Sequence, residues 1–370
     1  MRICVLTLIC SYEGAEKEYN AQDIGLGKAF ADLGNITTII RLEKRSTKQY
    51  REELNDKLSL IHYKVKSIGG NSINVCKFIP VDSEVVVCFS DIQISFLELY
   101  RHCKKNNIKL IPYIGVIESH STNPIIRKIM NIWARLIISK YRSMKVCAKT
   151  IDVKEKLSIY GVNNAFLVPV CLDKDKLMQN FSTISTESLR KEIIPSYKEN
   201  VKTILFVGKL VEEKRPQEAL QIFKNLYSKD ELFRLIIIGK GEKMDSLTSY
   251  IHNNGLSKVV KIYQRIQNID MWKYYLSADC LINLNRKEIF GMCILEAMYY
   301  ECPVVAYAAP GPQMIINDGI NGYLFNDNDE CIDKIAYSMK KGRLKAAKQN
   351  ILDNYMWRKS AMKILSILSK

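Results

Sequence analysis

A chain of 370 residues, 47% hydrophobic and 25% charged, is long for one core and suits two α/β domains of about 150 to 200 residues each. That composition excludes the disordered, collagen-like and disulfide-stapled classes. The 55 Lys and Arg against 39 Asp and Glu leave a net charge of +16, which favours an anionic partner: nucleic acid, an acidic membrane surface or a phosphorylated ligand.

The 11 cysteines are widely spaced, form no C-x-x-C pair and fall partly inside apolar strands, so they read as reduced cytosolic thiols used as small core residues. The 4 scattered histidines do not suggest a metal site. Residues 1–10 are apolar but run into Tyr12-Glu13-Gly14, which predicts a first strand and not a signal peptide. No run reaches the ~18 apolar residues of a spanning helix. A cytoplasmic protein is expected, with peripheral contact to the inner face of the membrane as an option.

The first strand covers Ile3 to Ile9 and leads through a loop with Gly14 to a helix from about Glu18 to Leu33, stopped by Gly34, and then to a strand over Thr37 to Arg41. This is a Rossmann-like opening without G-x-G-x-x-G, so a dinucleotide is not expected there. Gly14 serves either close backbone approach to a ligand or a plain turn. Ser83 to Phe89 and Lys109 to Ile114 are further buried strands, with Asp91 and His120 beyond their C-terminal ends, the edge where open α/β sheets bind ligands. His120 is therefore an acceptor-side candidate, with a surface histidine as the alternative.

Between Pro124 and Lys145, Ile125, Ile129, Ile132, Trp133 and Leu136 share one helical face, while Arg127, Lys128, Arg135, Arg142 and Lys145 cluster on another. Such a helix either lies on an anionic membrane or packs its apolar face into the core with a solvated basic back. Residues 1–175 make the first domain, and the polar stretch from Lys174 to about Asn200 contains a linker.

The second domain, 200–350, opens with a strand ending on Gly208, then Lys209-Leu-Val-Glu-Glu-Lys214-Arg215-Pro216. Cations placed after a glycine at the C-terminal end of a strand suit a diphosphate. Pro216 fits the first turn of the next helix. Further on, Cys280 to Leu284 reads as a buried strand, Glu288-Ile-Phe290-Gly291 as a loop, Met292 to about Glu301 as a helix and Pro303 to Ala306 as the next strand. This is a parallel crossover unit. Phe290, Gly291 and Met292 sit at the turn into its helix, where the positive dipole end faces an anion. Glu288 in the loop and Glu296 in the helix each offer a carboxylate to sugar or ribose hydroxyls, or are ordinary exposed glutamates. Residues 351–370 form an amphipathic last helix.

The string Glu288-Ile-Phe-Gly-Met-Cys-Ile-Leu-Glu296-Ala-Met followed by Cys302-Pro-Val-Val resembles the donor-binding E-x7-E segment of glycosyltransferase family four, the retaining GT-B enzymes, and weaker similarity covers nearly the whole chain. Ile289 stands where that family usually has glycine, and Lys209 where it more often has arginine. The resemblance implies an α/β GT-B fold: two Rossmann-like domains whose parallel sheets face across a cleft, the first for the acceptor, the second for the sugar nucleotide, and a last helix crossing back to the first. It implies a metal-independent hexosyltransferase that needs no cofactor besides its nucleotide-sugar donor and acts on a glycan or lipid-linked acceptor in surface polysaccharide or glycolipid synthesis. In that reading Lys209 and Lys214 neutralise the diphosphate, Glu288 orients the sugar and Glu296 holds the ribose, with Gly208 and residues 290–292 lining the donor. Asp173-Lys-Asp175 and Asp327-Asn-Asp329 match the D-x-D metal signature of the other large glycosyltransferase fold only by chance. The rivals are a nucleotide-sugar epimerase or phosphorylase of the same architecture and a catalytically silent binding subunit of a polysaccharide-assembly complex. A nucleic-acid-binding protein does not fit, because the basic residues are not interleaved with aromatics in a recognisable module.

Overall fold

The computed structural model describes residues 1–10, 21–43, 49–68, 71–89, 91, 93–119, 121 and 123–369; Gly14 and His120 lie outside the described residues. The chain divides into two compact units, Met1–Cys171 with Trp357–Lys370, and Leu172–Met356.

In the first unit, β1 (Arg2–Thr7), α1 (Gln22–Asp32), β2 (Ile36–Glu43), β3 (Tyr50–Asn55), β4 (Leu58–Lys64) and a short ribbon, β5 (Ser67–Ile68) and β6 (Asn71–Ser72), precede β7 (Val85–Phe89) and α2 (Phe96–Lys105). Then come β8 (Lys109–Ile114), α3 (Pro124–Tyr141), β9 (Val146–Ala148), α4 (Ile151–Ile159) and β10 (Ala165–Leu167). The main sheet runs β10-β9-β8-β7-β1-β2-β4-β3, with β3 antiparallel to β4 and the other pairings parallel. At its centre Val5 registers with Ile39 on one side and Val87 on the other, all three fully buried. Burial on both faces explains why these strands read as unbroken apolar runs.

Helix α3 is capped by Asn123, whose side chain accepts from the Ile125 and Ile126 N–H, with Pro124 in the first turn. Ala134, Ile137, Ile138 and Tyr141 pack it onto the sheet. The stripe of Ile125, Ile129, Ile132 and Leu136 faces away from that contact and is 50 to 70% exposed. Of the apolar face read from the sequence, Trp133 turns inward and packs against the unit's core, while the other four residues are not buried in the unit.

The second unit opens with α5 (Thr186–Ile193), and its Leu189 and Ile193 are in the unit's core. The polar stretch after Lys174 is thus not bare linker. Next follow β11 (Lys202–Val207), α6 (Pro216–Lys229), β12 (Phe233–Ile238), α7 (Met244–Asn253), β13 (Val260–Tyr263) and α8 (Met271–Ser277). The rest is β14 (Cys280–Asn283), α9 (Met292–Tyr299), β15 (Val304–Tyr307), α10 (Pro310–Ile315), β16 (Tyr323–Phe325), α11 (Asn328–Lys341) and α12 (Lys345–Asn354). Its six strands run β13-β12-β11-β14-β15-β16, all parallel.

The last helix, α13 (Trp357–Ser369), belongs to the first unit and packs on α1. Contact is close at Gly25, where a Cβ would stand 2.3 Å from the Trp357 indole. Trp357 also meets the edge of Tyr113, and the Tyr113 hydroxyl donates to the Pro169 carbonyl. The first carboxylate of each D-x-D string acts as a backbone cap: Asp173 accepts from the Asp175 N–H, and Asp327 caps α11 through the Glu330 N–H.

Candidate active site

Since all strands of the second sheet are parallel, the loops after β11, β12, β14 and β15 leave from one edge, the C-terminal edge. β11 and β14 are neighbours, with Phe206 opposite Ile282, so the loops that follow them meet. The loop after β11 carries Gly208, Lys209 and Lys214. It is tied to the loop after β12 by the Leu210 N–H donating to the Lys240 carbonyl and the Lys243 N–H to the Leu210 carbonyl. Lys209 is exposed on it. Lys214 folds back so that its stem passes 3.9 Å from where a Gly208 Cβ would stand.

The Lys214 ammonium donates to Glu288 Oε2 at 2.7 Å, although the two residues are 74 apart in sequence. Their side chains are 28% and 12% exposed, so the pair is largely shielded from water. Two amides from the end of β14 complete the cluster, Asn285 Nδ2 donating to the same oxygen at 3.3 Å and Asn283 Nδ2 at 3.5 Å. Asn285 Nδ2 also reaches Glu213 Oε1 at 3.4 Å. One glutamate oxygen therefore collects a cation and two amide dipoles, a set that fixes the loop.

The loop from Glu288 to Gly291 is held from below by the turn after β15. The Gly311 N–H donates to the Glu288 carbonyl, and a Cβ on Gly311 would fall 2.6 Å from the Phe290 nitrogen, so no other residue allows this approach. Ile289 turns outward and is 48% exposed, which accommodates a side chain where the similar family carries glycine. Phe290 packs edge-on against Tyr355. Gly291, at φ +94°, caps α9 in a left-handed conformation, and the half-buried Met292 begins the helix. Glu296, further along α9, accepts from the Tyr275 hydroxyl at 2.7 Å.

The Cys293 thiol reports on the same group of charges. Burial first, then the negative charges of Glu288 and Glu296, push it up to about 12, while Lys214 opposes them. Lys214, Glu288 and Glu296 thus all lie within electrostatic range of this thiol in the first turn of α9. Glu218 organises a second layer of charge, pairing with Arg215 and, at 3.5 Å, with Arg286, whose guanidinium lies 5.4 Å over the Tyr307 ring.

Asn283, Asn285, Glu213 and Tyr275 were not singled out from the sequence. The two asparagines did carry a signal, being polar residues at the end of an otherwise apolar strand. Tyr275 carried none, because it lies 21 residues before its partner. Among the described residues no group of three or more His, Cys, Asp or Glu is arranged to hold a metal ion.

This architecture is that of the GT-B glycosyltransferases. Among solved structures, the chain is similar in fold to HepE of Anabaena in complex with UDP, with a TM-score of 0.74 at 15% identity over 100% of both chains. Residues 190–354, which lie within the second unit, match the family described as Glycosyl transferases group 1. The chain is 24% identical over 263 residues to the amylovoran biosynthesis glycosyltransferase AmsD of Erwinia amylovora, across 67% of this chain and 73% of that protein. It is 26% identical over 133 residues to an alpha-monoglucosyldiacylglycerol synthase of Acholeplasma laidlawii, spanning 36% of this chain but only 33% of that protein.

A double-mutant cycle on Lys214→Met and Glu288→Gln measures the central pair. Each single variant is expected to lose about 2 kcal/mol of stability in urea unfolding, because it leaves a shielded group without its partner, and the double variant to lose much less than the sum. Additive losses would show that the two side chains are not coupled.

Proposed function

We propose that the protein is a retaining glycosyltransferase that moves a hexosyl group from a nucleotide-sugar donor to a glycan or lipid-linked acceptor, in the synthesis of a surface polysaccharide or glycolipid. The observation that carries this reading is the Lys214–Glu288 pair, set beside Gly208 and the start of α9 inside the group 1 domain. AmsD and the monoglucosyldiacylglycerol synthase, named for a polysaccharide and a glycolipid, support the choice of product class.

In this mechanism the second unit binds the donor. As the bond between sugar and diphosphate breaks, negative charge grows on the leaving oxygen. Lys209 and Lys214 and the positive end of α9 at Phe290 to Met292 stabilise that charge, so no metal ion is required. An ammonium has three donors, and only one from Lys214 is engaged by Glu288; the pair sets the lysine in place before the donor arrives. Glu288 orients the donor sugar through its hydroxyls, and Glu296, braced by Tyr275, accepts from the ribose. No side chain is assigned as a nucleophile; the acceptor proton passes to the donor phosphate on the face that the leaving group vacates. The first unit receives the acceptor.

The exposed stripe of α3 supplies the membrane contact this reading calls for. No helix of the described residues is long and apolar enough to cross a membrane. Ile125, Ile129, Ile132 and Leu136 instead form an apolar ridge, with Lys128, Arg135 and Lys140 exposed beside it. Partial burial of each apolar side chain is worth about 1 kcal/mol, and each cation near an anionic surface adds about 1 kcal/mol. Together they suffice for reversible binding to the anionic leaflet.

Lys209→Ala and Lys214→Ala are expected to lower kcat and kcat/KM together by about a hundredfold or more, with chelators leaving the wild type unaffected. Unchanged kinetics would remove the lysines from the leaving-group site, and loss of activity with chelator would overturn metal independence. In co-sedimentation, wild type should bind vesicles containing phosphatidylglycerol and not pure phosphatidylcholine, and an Ile129→Glu, Ile132→Glu variant should lose that binding. Equal partitioning of the two proteins would show that α3 is not the contact.

A further inference from the structure

Lys149 lies at the C-terminal edge of the first unit's sheet, directly after β9 and one residue before Thr150, the N-cap of α4. Its stem passes close to Gly115, where an added Cβ would be 2.8 Å from Lys149 Cδ. Its backbone N–H donates to the Ile114 carbonyl at the end of β8. The ammonium stands 5.2 Å from the Phe89 ring centroid and 5.1 Å from that of Tyr113, the residues that end β7 and stand last but one in β8. Three strands therefore converge to hold one cation over two aromatic faces.

Among the described residues no oxygen accepts a hydrogen bond from Lys149 Nζ and no carboxylate pairs with it. The nearby carboxylate is Asp91, whose Oδ1 is engaged by the Gly115 and Val116 N–H groups at 2.7 and 2.9 Å. Burial pushes the Lys149 ammonium below its ordinary range, and Asp91 acts in the opposite direction. Aromatic faces recover about 0.5 to 2 kcal/mol for a cation at this range, but they satisfy none of its three N–H donors. A half-buried cation whose N–H donors meet no acceptor among the described residues gains more from an anionic oxygen than from water, because partial burial has already removed some of its hydration. The ends of β7, β8 and β9 form the edge at which an open α/β sheet takes its ligand, and the first turn of α4 adds its positive dipole end there, partly offset by Asp152.

We propose that Lys149 is an acceptor-binding residue whose ammonium donates to an anionic oxygen, a phosphate or a carboxylate, on the molecule that receives the sugar. This rests on the glycosyltransferase reading above and gives its acceptor a chemical class: one that bears a negative charge. The role is electrostatic and belongs to the first unit alone, so it is separable from donor binding by the second.

The test follows the lysine Cε resonances of the full-length protein by carbon-13 NMR, at constant ionic strength in sodium chloride, while inorganic phosphate, acetate or UDP is added. The Lys149 signal is identified by its absence from Lys149→Met and, should that variant not fold, from Lys149→Arg. The expected result is a saturable shift of this signal with phosphate or acetate, and affinity for that anion at least about tenfold weaker in Lys149→Met. UDP binding should be the same in both proteins. A stronger response to phosphate points to a phosphorylated acceptor, and a stronger response to acetate to an acidic sugar. If UDP binds but neither anion moves the Lys149 signal more than chloride does, the proposal is overturned while the donor reading stands. If UDP itself does not bind, it is the donor reading that fails.

Discussion

The adjacency of β11 and β14 is the constraint on which the candidate site depends. Two strands separated by more than seventy residues lie side by side in one parallel sheet, so the loops that leave them at the same edge must meet. Crossover helices make this the natural outcome of a doubly wound sheet. What is particular to this chain is the content of the two loops. One ends in lysines and the other in a glutamate, and their charges cancel in a shielded contact. Shielding gives the contact its force, since a pair at the surface would be worth little.

Much of the surrounding structure serves to keep those loops still. The strand and loop of β14 contribute both amides to the Glu288 oxygen, and Gly311 brings the backbone after β15 up against the same loop from the far side. The acids here are matched by cations, Glu288 by Lys214 and Glu218 by Arg215 and Arg286. Lys209 remains exposed at the same edge. The 55 cationic side chains thus differ in their consequences: some are neutralised in pairs, while others, among them Lys209 and those on α3, stand exposed where anions can reach them.

The strands were legible because both faces of each sheet are covered, which gives them apolar runs such as 204–207 and 235–238. Glu288, Gly291 and the lysines after Gly208 were legible as residue types placed at strand-to-helix turns. The contact between Lys214 and Glu288 was not, because nothing local encodes a meeting across 74 residues. Periodicity found the apolar stripe of α3 but could not say which face the sheet would cover; that was decided by Ala134, Ile137, Ile138 and Tyr141, a second apolar face on the same helix. Likewise the polar composition around α5 concealed Leu189 and Ile193, four residues apart and enough to dock a short helix. Lys149 looked like any strand-end lysine, and only the convergence of Phe89, Gly115 and Tyr113 sets it apart.

The central claim is that the edge of the second sheet holds a sugar nucleotide, and ligand-observed NMR tests it directly. The purified protein would be screened against UDP-, GDP- and other nucleotide sugars, with and without chelator, beside Glu296→Ala. The account predicts saturable binding of one donor class, unaffected by chelator and weakened in the variant. Binding of no donor by folded protein, or equal binding by Glu296→Ala, would contradict it.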